Sequence, residues 1–543
     1  MKSKKIASAV SFSLLTSLFL TTAVSAESNN QQIHPLSERN TIQSPNFSMQ
    51  ALQTSVTYKN NIDIYTMHEY YFSTNGGHFE VSQQNTETEE IYFSIIDANT
   101  EEPFEFDDPY TFDLPPGEYI FEVEGFSDKP TPYEFSLSGS FTDQPATQLP
   151  SIAITSPATH EVRLAKGSTR MSVKGTTDAD ALDLYFNYND PKELDVTFNE
   201  TLNVQPGFNT FALNALDSTT LNAVWSTYNV ISPGLKRIGG KDRYEVSTGI
   251  SQELDSRDAY SGTVIISRGD LYTDALSGGP LAASEGAPVL LTATKALPTN
   301  TVTELKRLKP EKAIILGGTG SVSTNVENQL KSLGIQTIQR IGGKDRFAVS
   351  AGVAAKVADY ADTAIIASGM NFPDALSASG MAGYMGMPIL LVGTNSVPDS
   401  IQTFIKNNAN ISHFIIVGGP ATVSDNVKTK ISQLRTGAKV ERIGGLNRYQ
   451  VSVNVTNYGI KNYGMDLSTL VVARGDVFAD ALSGSPLAAF MGAPILLTTS
   501  NKLEANINNY LTQNKGETDY TYILGGTGSI TPAVEQQLSN FIK

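Results

Sequence analysis

From residue 235 to the end, the chain alternates two hydrophobic periodicities. Val246, Ile250 and Leu254 recur at helical spacing, and the Thr263-Val264-Ile265-Ile266 run reads as a short buried strand. Asp274 sits where a helix N-cap belongs, ahead of Ala275 to Ser284. Pro288 to Leu291 and Ala313 to Leu316 predict further strands, and Thr301 to Leu308 and Val326 to Leu333 further helices. Near-continuous apolar strands between helices predict a small parallel sheet covered on both faces.

That pattern occurs three times. Arg237-Ile238-Gly239-Gly240 returns as Arg340-Ile341-Gly342-Gly343 and Arg442-Ile443-Gly444-Gly445. Each copy continues through a polar pair to an arginine and an aromatic ring, Arg243-Tyr244, Arg346-Phe347 and Arg448-Tyr449. Asp-Ala-Leu-Ser follows at Asp274, Asp374 and Asp480, and a glycine pair closes each copy at Gly317-Gly318, Gly418-Gly419 and Gly525-Gly526. Three blocks in one order, three times over, define a tandem repeat of about 100 residues.

The front half is patterned differently. Tyr70-Tyr71-Phe72, Ile91 to Ile96 and Tyr119 to Val123 are aromatic and β-branched runs separated by turn signals such as Pro115-Pro116-Gly117, the pattern of a β-sandwich. Ile152-Ala153-Ile154 opens a second short-strand unit beyond a polar, Pro-containing linker. The fold class expected is therefore two N-terminal β-sandwich domains followed by three Rossmann-like α/β repeats.

The N-terminus indicates the compartment. Lys2, Lys4 and Lys5 precede an apolar run, and Val24-Ser25-Ala26 supplies the small residues of a cleavage site, so residues 1–26 read as a secretory signal peptide. Residues 27–50 are rich in Ser, Gln and Asn and read as a flexible lead-in. With no second long apolar run and no sorting signal of the Leu-Pro-x-Thr-Gly type near its end, the mature chain is expected off the membrane and held at the cell wall non-covalently.

Composition narrows the chemistry. The chain has no cysteine, which excludes thiol nucleophiles, Cys-ligated zinc and iron–sulfur clusters. Its formal net charge of −16 is carried by residues 1–234, while the repeats are slightly basic. The repeats are thus the half suited to an anionic partner; no nucleic-acid motif accompanies them. Arg243, Arg346 and Arg448 offer fork-like binding to phosphate or carboxylate, as do Arg237, Arg340 and Arg442. The glycine pairs at strand-to-helix junctions bring backbone N–H groups close to a bound anion, or else permit tight packing. The alternative for Arg243, Arg346 and Arg448 is an internal bridge to Asp274, Asp374 and Asp480, which then serve structure. Catalytic candidates are lacking: the five histidines are scattered, and no His-Glu-x-x-His, Walker A or Gly-x-Ser-x-Gly motif occurs. No cofactor is called for. The acidic stretch from Glu101 to Asp113 carries oxygen ligands of the kind calcium takes, without the spacing of a calcium loop, so a solvated acidic loop is expected there.

The three repeated blocks resemble the cell-wall-binding repeat type 2 family of Gram-positive surface proteins. The resemblance implies three α/β modules in a pseudo-threefold arrangement, binding anionic wall polymers such as teichoic acid. The second copy departs from it, with Ser368-Gly369-Met370 where the others have Arg268-Gly269-Asp270 and Arg474-Gly475-Asp476, and with Pro420-Ala421 after its glycine pair. In front, residues 51–145 resemble the bacterial pre-peptidase C-terminal sandwich, through Leu-Pro-Pro-Gly-Glu-Tyr and Tyr133 to Leu137, and residues 150–233 resemble Ig-like domains, through Ile-Ala-Ile-Thr-Ser-Pro. The repeats are then residues 235–337, 338–439 and 440–543. The function expected is non-covalent anchoring that presents the β domains at the surface. The alternatives are a non-catalytic modifier or recruiter of a cell-wall hydrolase and a wall-bound enzyme with an unrecognised site.

Overall fold

The computed structural model describes residues 55–543 except 85–89, 101–102, 105–109, 128, 188–190 and 258. The expected signal peptide, the expected lead-in and most of the acidic stretch lie outside the described residues. At its end Asp113 takes a hydrogen bond from His78 at 3.1 Å, and among the described residues no group of three or more potential metal ligands occurs.

The described residues form two compact units, one running from Ser55 to Ile231 apart from Ala165–Gly167, the other from Ser232 onward together with those three residues. The first is all β. The sheet Ser55–Ile62, Thr131–Ser138, Gly77–Gln83 and Thr111–Leu114 encloses an aromatic core with Thr66–Thr74, Gly117–Gly125 and Ile91–Asp97. Tyr58, Phe72, Phe121 and Phe135 are fully buried there, as alternate positions on strands must be when one face meets a core. His68 is buried beside the Tyr70–Tyr133 hydroxyl pair, and burial lowers its pKa to about 4, so the ring stays neutral. A second core, around Val173, Leu184, Leu213 and Val230, lies under the three-stranded sheet Thr197–Leu202, Met171–Thr177 and Ile152–Ser156. The two cores share one sheet. Strand Ala223–Ser232 pairs antiparallel with Thr66–Thr74, Ala223 opposite Glu69 through Ser226 opposite Thr66. Two strand edges that would otherwise template aggregation cover each other at this joint.

In the second unit, each repeat folds as a four-stranded parallel sheet flanked by helices. The first has strand order Val289–Thr292, Thr263–Arg268, Lys312–Leu316 and Thr337–Ile341. The helix that opens each repeat starts where the polar pair places an acceptor. The Asp242 carboxylate accepts from the N–H groups of Tyr244 and Glu245, Asp345 from Ala348, and Asn447 from Tyr449 and Gln450. Each such cap stabilises the helix start by about 1 kcal/mol.

The fourth strand of each sheet carries the Arg-Ile-Gly-Gly block, and in the first two sheets it comes from the next repeat in sequence. Thr337–Ile341 completes the first sheet and Lys439–Ile443 the second. In the third sheet that place is taken by Gly234–Ile238, at the start of the first repeat, which pairs with Tyr520–Leu524. The three modules are thereby closed into a ring along the chain.

The ring is centred on three helices, Gly278–Ser284, Pro373–Tyr384 and Ala479–Phe490. Alanine, serine and glycine let them approach closely. A Cβ added at Gly279 meets Ser485 Cβ at 2.9 Å and Ser379 Cβ at 3.2 Å, and one added at Gly383 meets Ala489 Cβ at 2.6 Å. The first of these helices begins at Gly278, so Asp274 lies in the preceding turn and does not cap it, whereas Asp374 and Asp480 lie in first helical turns. Gly278, Gly279 and Pro280 are poor helix formers, and they leave the start of that helix to be held by tertiary packing.

Candidate binding site on the ring axis

At the N-terminal ends of the three central helices, the rings of Tyr272, Phe372 and Phe478 meet with centroids 5.3, 5.6 and 5.9 Å apart. One guanidinium from another module lies over each. Arg243 of the first module stands 5.5 Å from the Phe478 ring of the third, Arg346 of the second 5.9 Å from Tyr272 of the first, and Arg448 of the third 5.8 Å from Phe372 of the second. The contacts run in one rotational sense, as pseudo-threefold symmetry requires. Each stacked cation contributes on the order of 0.5–2 kcal/mol.

Each of these arginines is oriented from its own module. Arg243 Nη1 donates to the Gly269 carbonyl, Arg346 Nη1 to Gly369 at 2.5 Å and Arg448 Nη1 to Gly475 at 2.6 Å. Among the described residues none of the three makes a contact ion pair. The charges of Arg448 and Arg243 nonetheless reach the buried Asp374 and Asp480 of the neighbouring modules. Burial raises the pKa of Asp374 and Asp480, and Arg448 and Arg243 respectively work against that rise. For these two pairs the internal bridge considered from the sequence is a through-space attraction between modules.

Asp274, Asp374 and Asp480 instead hold the glycine loops. They accept hydrogen bonds from Ser321, Thr422 and Ser529. Gly317, Gly418 and Gly525 have φ of 105°, 114° and 109°, and a Cβ on any of them would come within 2.5 Å of the aspartate Oδ2. Their N–H groups donate to Ile341, Ile443 and Ile238 on the adjoining strand. Their carbonyls accept from Arg340, Arg442 and Arg237. Those arginines also pair with Glu327, Asp425 and Glu535. The loops expected to receive an anion on Gly317-Gly318, Gly418-Gly419 and Gly525-Gly526 have their first amide and carbonyl occupied, because the fourth strand of each sheet docks on them. Arg237, Arg340 and Arg442 are held by the same docking.

The geometry therefore separates the two sets of arginines foreseen from sequence. One set ties strand to loop inside each module. The other gathers on the axis. The aromatic residues that complete the axial ring were not singled out, although a signal was present: each stands two positions before Asp-Ala-Leu-Ser. Around the ring Leu271, Met370 and Val477 are exposed. Three inward cations among apolar surfaces suit a ligand that combines negative charge with sugar or polyol faces.

Comparison with known proteins agrees with this architecture. The cell wall binding domain 2 family matches residues 237–327, 340–428 and 442–535, half of the chain in all. N-acetylmuramoyl-L-alanine amidase LytC of Bacillus subtilis is 33% identical over 306 residues, covering 56% of this chain and 58% of the amidase. The amidase enhancer of the same organism is 34% identical over 304 residues, 56% of this chain and 40% of the enhancer. The chain thus spans about half the length of these relatives. Among solved structures, Cwp6 from Clostridium difficile superimposes with a TM-score of 0.56 at 24% identity, over 73% of this chain and 68% of that one. Cwp8 from the same organism gives 0.51 at 25% identity, over 62% and 60%. Three matched repeats, in a ring whose sheets complete one another, place this chain in the cell wall binding domain 2 family.

Proposed function

We propose that the chain anchors itself, without a covalent link, to anionic cell-wall polymer through the axial face of its repeat ring, and presents the N-terminal β unit at the bacterial surface. The observation that carries this reading is the trio Arg243, Arg346 and Arg448: three guanidinium groups on one face, each pre-oriented by a backbone carbonyl and none neutralised by a contacting carboxylate among the described residues. Preorganised cations lose little side-chain entropy on binding. A polymer with repeated negative groups engages several of them at once, and the effective concentration of the second and third contacts raises the affinity. The protein acts in this reading without catalysis of its own, as the absence of a recognised catalytic motif in the sequence suggests.

Co-sedimentation of the full chain with isolated Gram-positive walls, before and after acid extraction of their phosphate-bearing polymers, tests the reading. Pelleting with intact walls and its loss after extraction are expected. Equal pelleting in both removes anionic polymer as the receptor.

A second reading is favoured by the 34% identity to the amidase enhancer: the ring brings the β unit to the wall, where it recruits or tunes a hydrolase. Capture of a purified wall amidase by the full chain, and a change in its rate of wall lysis, supports this modifier role. An unchanged rate counts against it.

A further inference from the structure

The axial face is threefold in shape and twofold in chemistry. In the first module the ring of Tyr244 lies over the loop that follows strand Thr263–Arg268: a Cβ added at Gly269 would stand 2.8 Å from Tyr244 Cε1 and 3.1 Å from Arg243 Cδ. On that loop Arg268 holds Asp270 through two parallel bonds of 2.6 Å, and the Asp270 side chain remains 55% exposed. The third module repeats this with Tyr449 over Gly475 and with Arg474 bonded twice to Asp476, whose side chain is 52% exposed. The second module changes all three positions together. Phe347 covers Gly369, Ser368 accepts from the Met370 amide at 3.1 Å, and Met370 is exposed where the others carry aspartate.

An exposed carboxylate works against an anion-binding face unless the ligand gives it a hydrogen bond. Beside each stand a phenol and a guanidinium whose geometry is already set, the acceptor-and-donor combination that reads hydroxyl groups. The cations of Arg268 and Arg474 hold Asp270 and Asp476 below the ordinary carboxylate range, so both accept hydrogen bonds at neutral pH. Burial raises the hydroxyl pKa of Tyr244 and Tyr449, so both keep a proton to donate.

We propose that Tyr244–Arg268–Asp270 and Tyr449–Arg474–Asp476 are two sugar-hydroxyl subsites beside the arginine–aromatic ring. The second module offers an apolar step in their place, so the glycosyl units of an anionic wall glycopolymer are read by two modules out of three. This rests on the anchoring reading above. It adds that the ring discriminates among anionic polymers by their sugar, using carboxylates that a purely electrostatic grip would exclude.

The sign of one substitution separates the two mechanisms. Binding of the full chain is measured by titration calorimetry with poly(glycerol phosphate), and with the same polymer bearing glucosyl substituents. The unaltered chain is expected to prefer the glucosylated polymer. Replacing the two carboxylates (D270N with D476N) removes two negative charges from the face. On the glucosylated polymer the affinity is expected to fall three- to tenfold, while on the plain polymer it holds or rises. Tyr244→Phe with Tyr449→Phe leaves the charge unchanged and is expected to lower the same preference, which keeps the test valid should the asparagine pair fold poorly. The inference is overturned if the asparagine pair binds both polymers as tightly as before or tighter, or if the unaltered chain shows no preference. Binding to neither polymer instead defeats the anchoring reading, and this inference with it.

Discussion

At the residue scale, the glycine-pair loops show how little room the repeat leaves. Gly525 has a left-handed φ of 109°, and a Cβ there would stand 2.5 Å from Asp480 Oδ2, whereas a Cβ on Gly528, three residues on, meets nothing within 4 Å. The first position combines backbone strain with a clash against a buried carboxylate, and the second carries neither. Gly525→Ala is therefore expected to destabilise the protein by about 2–4 kcal/mol. Gly528→Ala is expected to change stability by less than about 0.5 kcal/mol. Urea unfolding of both variants followed by circular dichroism checks the contrast. Equal effects would mean that the loop relaxes freely and that the aspartate does not need the space. Sequence showed these glycines as a repeated pair and left two uses open, an anion cradle or tight packing. Asp480 sits 45 residues away, and only the folded chain shows that it fills the space the first glycine leaves.

At the element scale, the ring closes where strand Gly234–Ile238 enters the third sheet. A buried charge cluster locks that strand to its neighbours. Glu253, on the first helix of the first repeat, takes Lys236 at 2.5 Å, Arg257 at 2.8 Å and the Tyr522 hydroxyl at 2.5 Å. Burial works to raise the Glu253 pKa, but the Arg257 and Lys236 cations outweigh it and hold the carboxyl below its ordinary value. A carboxylate so depressed contributes stability above its unfolded pKa, and that contribution is lost as pH falls through the folded value. Glu253→Gln leaves two cations without their shared partner, one of them well buried, at an expected cost of about 3 kcal/mol. The prediction is a lower thermal midpoint at pH 7, with a gap to the parent protein that narrows as the pH is taken below 4. A gap independent of pH would mean that packing and not charge holds the strand. Three strands and the helices of the first repeat were legible from periodicity within a few residues, whereas the Arg-Ile-Gly-Gly block was seen as a repeated motif and not as a strand. The sheet to which the Arg-Ile-Gly-Gly strand belongs was not legible, since a strand's apolar pattern records that it is buried and not which neighbour buries it.

At the scale of the whole molecule, the ring converts three weak contacts into one grip. A single substitution such as Arg346→Gln leaves two guanidinium groups on the axis and is expected to weaken wall binding only several-fold. Arg243→Gln, Arg346→Gln and Arg448→Gln together remove the multivalent gain, which spans about two to four orders of magnitude. Raising the salt from about 0.05 to 0.5 M weakens the parent protein partially, because part of the contact is apolar and hydrogen-bonded. It should scarcely affect the triple variant. Sedimentation with walls across a salt series measures both. Strictly additive losses for the three single substitutions would mean that the modules bind independently and that the ring only spaces them.

What the sequence determined by itself was what repeats or recurs at short range. It revealed three α/β modules behind a β-rich front, the acidic front and slightly basic back, and the recurring arginines, while its one helix-cap reading, Asp274, gave way to caps at Asp242, Asp345 and Asn447. Such features follow from local propensity and from the burial of neighbouring residues, which leave a period in the chain. The tertiary structure alone decided how distant segments answer one another. It joined the two front cores through Ala223–Ser232 and closed the ring with Gly234–Ile238. It also divided six similar arginines into three that hold loops and three that stack on a neighbour's aromatic ring. Those choices are set by packing between residues as many as 298 positions apart, as between Arg237 and Glu535, and such packing leaves no period along the chain.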